Sequence, residues 1–151
     1  MEDLLGWRST RWGMTKADIL NAIGSDKVME TNRQDFQRFY SELEIKYAKI
    51  GEFDFNVVFQ MGVETHRLEQ VLLSYDDLDL RDPEAAFRTA KSLLSETFGK
   101  PARVGTSDDW FWPFPTSEII IGKFYIPEIA SSVSIRFRPT GAGHPLEMAA
   151  F

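Results

Sequence analysis

The strongest constraint on the fold is an alternation of apolar and polar residues across positions 42–75. Three alternating runs, 42–47, 53–61 and 68–75, are separated by a connection around Gly51 and a second one at 62–66. A period of two is typical of half-buried strands, and such short connections join antiparallel neighbours. The sequence therefore predicts an antiparallel meander, with Leu43, Ile45 and Tyr47 on the core side of its first strand.

A short helix is predicted before this meander, from Lys16 to Ile23. Thr15 and Asp18 have the spacing of a capping box, in which each side chain accepts a hydrogen bond from the backbone of the other. Gly24 permits the left-handed conformation that ends many helices. Residues 25–41 carry conflicting signals, and we expect a loop with one helical turn there.

A second helix is predicted after the meander. Asp82 suits the N-cap, Pro83 suits the first helical position, and Glu84 complements the positive end of the helix dipole. Its apolar residues recur every three or four positions as far as Phe98, and Gly99 ends it. This spacing predicts a helix that lays one apolar stripe on the sheet.

Further strands are predicted at 103–105, 110–114, 118–125 and 132–138. Pro113 and Pro115 place the 110–114 segment at an edge or a bulge, because proline cannot donate to a central ladder. The fold class is thus α+β, an antiparallel sheet of about six to seven strands with two main helices on one face. Both halves begin with a helix that ends in glycine, so the two are candidates for helix-plus-sheet pseudo-repeats. We expect one domain over 1–138 and a flexible C-terminal tail at 139–151.

Composition excludes several classes of function. The 151 residues include no cysteine and carry a net charge of −6, which leaves no thiol chemistry and no overall basic surface for nucleic acid. His66 and His144 fall in a predicted turn and in the tail, too poorly held to act as a general base or to form a metal site. The acidic residues 76–82 lack the glycine and final glutamate of a calcium loop. We predict no catalytic residues, no metal and no cofactor.

The N-terminal sequence begins with acidic residues and shows no apolar signal segment. No run of about 18 apolar residues is present to span a bilayer. We therefore expect a cytoplasmic protein that has no membrane partner.

The segment Arg11-Trp12-Gly13-Met14-Thr15 resembles a motif of small uncharacterised bacterial proteins, in which Trp-Gly-Met-Ser/Thr opens a short helix. In those proteins a helix that ends in Phe/Tyr-Gly-Lys-Pro, a strand that contains tryptophan and a final pair of strands follow. This chain has counterparts in the same order, at 98–101, at Trp110 or Trp112, at 119–121 and at 133–137. The Gly-Met-Thr helix start is more distantly similar to that of the outer-membrane assembly lipoproteins and the β-lactamase-inhibitor-protein-like superfamily. That resemblance implies helix-plus-sheet units that act by binding other proteins, and it brings no catalytic residues. This chain lacks the lipidated cysteine of the secreted members.

The aromatic segment from 110 to 114 is the candidate contact site. In an extended chain, Trp110 and Trp112 share one face and Phe111 lies on the other, with Phe114 close behind. One interpretation is an edge strand whose rings bind a protein partner or an apolar ligand. The other is that one aromatic face belongs to the core and the other face packs on the tail.

These observations favour a non-enzymatic module for protein–protein interaction, or an inhibitor-like binding module, that binds another protein or itself. An immunity or inhibitor protein, acidic so as to approach a basic target, is one form of this role. The alternative is a small-molecule binding or enzymatic domain with a cleft between the sheet and the Asp82 helix, lined by Tyr47, Phe55 or Tyr75.

Overall fold

The computed structural model describes residues 2–76, 83–126 and 128–140. These residues contain two helices, α1 (Lys16–Ile23) and α2 (Glu84–Phe98). They also contain eight strands: β1 (Met29–Phe36), β2 (Phe39–Ile50), β3 (Phe53–Gly62), β4 (Leu68–Asp76), β5 (Ala102–Arg103), β6 (Trp110–Pro113), β7 (Ser117–Ile126) and β8 (Ala130–Pro139). The predicted α+β class with an antiparallel sheet is confirmed.

All eight strands form one sheet in the order β1-β2-β3-β4-β8-β7-β6-β5. Each half of the chain runs from a helix into a four-stranded meander, and the two meanders join where β4 pairs antiparallel with β8. Six residue pairs make this seam, from Val71 opposite Phe137 to Asp76 opposite Ser132. The last strand of each half therefore lies at the middle of the sheet.

The hydrophobic core lies between one face of the sheet and the two helices. Alternate residues of the central strands point into it, so Val57, Leu73 and Ile135 are neighbours in the same cross-strand row. Ile19 of α1 and Phe87 of α2 are buried in the same cluster. Both helices thus cover the same face of the sheet.

The predicted capping box of α1 is confirmed. The Asp18 amide donates to the Thr15 hydroxyl at 3.3 Å, and the Thr15 amide donates to the Asp18 carboxylate at 3.1 Å. In α2, Pro83 is the N-cap rather than the first helical residue, and the helix begins at Glu84. The predicted cap Asp82 lies outside the described residues.

Residues 29–36 form strand β1, so the prediction of a loop with a helical turn across 25–41 was wrong. This strand accounts for the difference between the eight strands of the sheet and the six to seven predicted. Its side chains are nearly all exposed because β1 lies at the edge of the sheet. An edge strand with neither face covered has no alternation of burial for a sequence pattern to reveal.

The prediction that Tyr47 faces the core with Leu43 and Ile45 was also wrong. Tyr47 is 75% exposed and has a φ of 62°, whereas Leu43 is buried. The β2–β3 register shifts twice, between Ser41 and Glu44 and again between Ile45 and Ala48. Each irregularity changes which positions point inward, and Ala48 becomes the inward residue.

Strand β8 extends to Pro139, and the Thr140 amide donates to the Thr116 carbonyl at 2.7 Å. The rest of the predicted tail, 141–151, lies outside the described residues. The two-residue β5 pairs with Trp110 and Phe111 only, so Pro113, which pairs with Glu118 of β7, has no strand on its other side. This position suits proline, which has no N–H to donate.

Ahead of α1, residues 4–13 form a folded segment that packs on the core. Trp7 is 5% exposed, and the buried Thr10 hydroxyl donates to the Trp7 carbonyl at 2.6 Å. A Cβ atom at Gly6 would lie 2.0 Å from the Thr10 carbonyl oxygen. Only glycine therefore fits where these two stretches of backbone meet.

Gly6→Ala should lower the free energy of unfolding by about 2 kcal/mol or more, because backbone must move to admit the methyl group. Gly122→Ala is the matched control, since its new Cβ would meet the flexible side chain of Asp109. We expect the control to cost less than about 1 kcal/mol, as flexible side chains give way cheaply. Urea denaturation followed by circular dichroism measures both variants, and equal costs would contradict this account of Gly6.

Candidate functional site

The face of the sheet opposite the helices is here called the open face. Along the middle of this face, one row of paired residues crosses the six neighbouring strands β2, β3, β4, β8, β7 and β6. The paired residues along this row are, in order, Glu44, Val58, Leu72, Arg136, Ile120 and Phe111. All six are half-buried, and the four apolar members are absent from the hydrophobic core cluster. The open face therefore presents an apolar strip with an arginine near its centre.

Arg136 has Leu72 on one neighbouring strand and Ile120 on the other. Within the part of the chain that the structure describes, its guanidinium makes no ion pair and no hydrogen bond. A guanidinium carries five N–H donors in a planar fork that matches a carboxylate. Arg136 can therefore accept an anionic group brought by a binding partner.

Arg138, two residues along β8, is held differently. Its Nε and Nη2 atoms contact the same Glu118 oxygen at 2.8 and 2.7 Å, and both side chains are mostly buried. Gln60 and Gln70 are also hydrogen-bonded to each other on the open face. A depression of about 270 Å³ lies among the two glutamines, Arg136, Arg138 and the β1–β2 turn. The charge of Arg138 is thus balanced locally, unlike that of Arg136.

The cross-strand row next to Arg136, on the side away from Arg138, consists of polar residues and a glycine. Asn56, Ser74, Ser134 and Gly122 lie opposite one another across four strands. The Oδ1 atom of Asn56 is buried without a hydrogen-bond partner among the described residues. Arg136 is thus bordered on this side by short side chains, and the Asp109 carboxylate lies close to Gly122.

The structure separates the four predicted contact residues. Trp112 is 1% exposed, and its Nε1 donates to the Gly99 carbonyl at 2.7 Å. Trp110 packs against the core under the Lys91 ammonium, 3.5 Å from the ring centroid, and Phe114 packs edge-on to Phe98 at 5.5 Å. Phe111 alone of the four lies on the open face. The interpretation in which one aromatic face belongs to the core thus describes Trp110, Trp112 and Phe114.

Trp112→Ala should destabilise the domain by about 3–5 kcal/mol, the usual cost of emptying a buried aromatic site. Phe111→Ser should cost about 1 kcal/mol or less, because its ring is half-exposed outside the core cluster. Thermal melting by circular dichroism compares the two. A Trp112→Ala variant as stable as Phe111→Ser would contradict the core placement of this ring.

On the helix side, an apolar cavity of about 380 Å³ lies between α2, the sheet and the N-terminal segment. Leu73 and Ile135 line it from the sheet, and Leu94 lines it from α2. The small-molecule alternative predicted a cleft lined by Tyr47, Phe55 or Tyr75. None of these three residues lines this cavity. The rings of Phe55 and Tyr75 instead pack together at 5.7 Å.

His66 occupies a turn, as predicted, and its Nδ1 lies 3.0 Å from the Tyr40 hydroxyl. Burial is the main factor that raises the pKa of Tyr40, so the phenol stays protonated near neutral pH. Among the described residues, no three acidic or histidine side chains are grouped to hold a metal ion. His144 and residues 77–82 lie outside those ranges.

Asp3 anchors the N-terminal segment to the β6–β7 turn. Its carboxylate accepts hydrogen bonds from the Thr116 hydroxyl and from the Thr116 amide, the latter at 3.0 Å. These bonds favour the charged form and lower the pKa of Asp3 below its ordinary value of 3.8. Next to this anchor, the Ser117 hydroxyl donates to the Leu4 carbonyl and accepts from Trp12 Nε1 at 2.9 Å.

The anchor should weaken in acid. Because the folded pKa of Asp3 lies below 3.8, its stabilisation is complete above that value and is lost as the pH falls through the folded pKa. The amide resonance of Thr116 should therefore titrate with a midpoint below 3.8 in an NMR pH series. Asp3→Asn should remove this titration, and Asp108→Asn, which changes an exposed carboxylate elsewhere, should retain it. A midpoint at or above 3.8 would contradict the anchor.

No protein family matches the chain, and no curated protein or solved structure matches it either. The resemblances drawn from the Trp-Gly-Met-Thr motif stay predictions. No helix in the described ranges is long and apolar enough to cross a membrane. The cytoplasmic location expected from the sequence also stays a prediction.

Proposed function

We propose that this protein is a non-enzymatic module that binds another protein through the open face of its sheet. The observation that carries the proposal is Arg136, which lies near the centre of the apolar strip without a counter-ion in the described residues. Protein interfaces commonly have an arginine or an aromatic ring at their centre, surrounded by side chains that exclude water. Leu72 and Ile120 supply such a surround here.

The partner is expected to present a carboxylate to Arg136, within an apolar surface that covers Val58, Leu72, Ile120 and Phe111. Of the four contact residues predicted from the sequence, the proposal retains Phe111, at the β6 end of the strip. A bidentate arginine–carboxylate pair supplies geometric specificity, and it gains strength when water is excluded around it.

The charge at Arg136 also bears on the inhibitor-like role. A net charge of −6 suggests approach to a basic target, whereas the centre of the open face is positive. Screening in physiological salt limits charge effects to about 8–10 Å, so the local charge decides which group fits at contact distance. We therefore expect an acidic contact patch on the partner, whatever its overall charge.

A second copy of this chain is a poorer occupant of the same face. A two-fold dimer centred on the open face would bring the two Arg136 side chains together near its axis. Two uncompensated guanidinium groups at the centre of an interface repel each other. The proposal is accordingly for a heterologous partner, and the purified protein should sediment as a monomer.

Arg136→Glu should weaken partner binding by about thirtyfold or more, because it places two carboxylates in contact. The full-length wild-type chain, immobilised, would first capture partners from a lysate of the source organism. Each purified candidate would then be titrated against both forms by biolayer interferometry. Arg88→Glu is the matched control, since it makes the same charge change on the exposed surface of α2.

The decisive measurement is a charge exchange. Replacing the partner's contacting carboxylate by arginine should restore its binding to the Arg136→Glu variant. Equal affinity of wild type and Arg136→Glu for every captured partner would overturn the proposal. So would the lack of any specific partner, or a homodimer that Arg136→Glu dissociates.

A further inference from the structure

The apolar cavity on the helix side is the second place where the structure offers room for a ligand. Its floor includes Leu73 and Ile135 of the sheet, one wall includes Leu94 and Phe98 of α2, and the other includes Trp7. Its volume of about 380 Å³ falls within the range of about 300–1,000 Å³ that is usual for small-molecule sites. Most of its lining residues are apolar, which suits the hydrocarbon or aryl part of a ligand.

The wall formed by the N-terminal segment is firmly held. The Thr10 hydroxyl bonds to the Trp7 carbonyl, Gly6 lies against the Thr10 backbone, and the Asp3 anchor ties the start of the segment to Thr116. The cavity is therefore bounded by packed structure on the side of the N-terminal segment as well as on the side of α2.

Arg8 supplies the positive charge at the rim of the cavity. Its guanidinium lies over the Trp7 ring, 4.4 Å from the centroid, and has no carboxylate partner among the described residues. The Arg8 carbonyl accepts from Arg11 Nη1 at 2.9 Å, which helps to hold the backbone in its positive-φ conformation. Thr97, also in the lining, already donates its hydroxyl to the Leu93 carbonyl. Arg8 is thus the lining group best suited to bind a charged end of a ligand.

We propose that this cavity binds a small amphiphilic carboxylate, whose hydrocarbon or aryl body lies between α2 and the sheet and whose carboxylate pairs with Arg8. The apolar walls select the body of the ligand, and the Arg8 cation at the rim selects the sign of its head group. The site goes beyond the protein-binding role, because it lies on the opposite side of the sheet from Arg136.

Decanoate, used below its micelle concentration, is the probe. We expect it to bind the full-length chain in isothermal titration calorimetry and to shift the amide resonances of Gly6, Ala48 and Thr97. Decanol has the same chain without the charge and should bind about tenfold more weakly, the effect of losing one charge-assisted contact. Decyltrimethylammonium, with the opposite charge, should bind more weakly still.

Two variants separate the head-group contact from the cavity. Arg8→Gln should weaken decanoate binding about tenfold and leave decanol binding unchanged. Lys27→Gln makes the same charge change on an exposed residue outside the lining and should alter neither. Leu94→Trp should fill the cavity and abolish binding of both probes. Thr97→Trp, which fills the mouth from an exposed position, replaces it if Leu94→Trp does not fold.

Equal affinity for decanoate and decanol, or an unchanged decanoate affinity in Arg8→Gln, would overturn the assignment of the head group. Resonance shifts confined to the open face, or no binding of decanoate at all, would overturn the cavity site. Arg136→Glu should leave decanoate binding unchanged. This site can therefore fail while the protein-binding proposal holds, and the reverse is equally possible.

Discussion

The pairing of β4 with β8 is the interaction on which the rest of the structure depends. It joins two four-stranded meanders, each preceded by its own helix, into one continuous sheet. The same six pairs place Leu73 opposite Ile135 on the core side and Leu72 opposite Arg136 on the open side. A shift of one residue would exchange the two faces of β8 and bury its arginines. The β4–β8 register thus decides at once which residues of these strands enter the core, which lie on the open face and which form the floor of the cavity.

Much of the fold was predictable because its signals are local. The capping box at Thr15, the strand β3 from Phe53 and the helix that ends at Gly99 are set by neighbours within a few residues. Strand β1 could not be found in this way, because its exposed side chains lack alternation and its pairing is with β2. Tyr47 was misplaced for a related reason, since the irregularities in β2 depend on contacts across strands.

The candidate sites were less predictable than the fold. The two faces of β8 are visible in the sequence, where Val133, Ile135 and Phe137 alternate with Ser134 and Arg136. The sequence does not show that Arg136 lies between Leu72 and Ile120. Which residues lie opposite Arg136 is set by how β8 is aligned with β4 and with β7, and this alignment is seen only in the folded sheet. The cavity depends on three separate segments that meet in space. The alternation at 110–114 placed Trp110 and Trp112 on the face opposite to Phe111, yet the sequence does not show which of the two faces belongs to the core.

The central position of β8 also has a consequence for how the sheet is assembled. Helix α2 and strands β5, β6 and β7 lie between β4 and its partner β8 in the chain. A chain emerging from the ribosome therefore has one unpaired edge of β4 until residues 130–139 have been made. Exposed apolar edges of this kind pair readily with other chains. The first meander is therefore most vulnerable to aggregation during synthesis, and completion of the last strand converts that exposed edge into the best-protected part of the sheet.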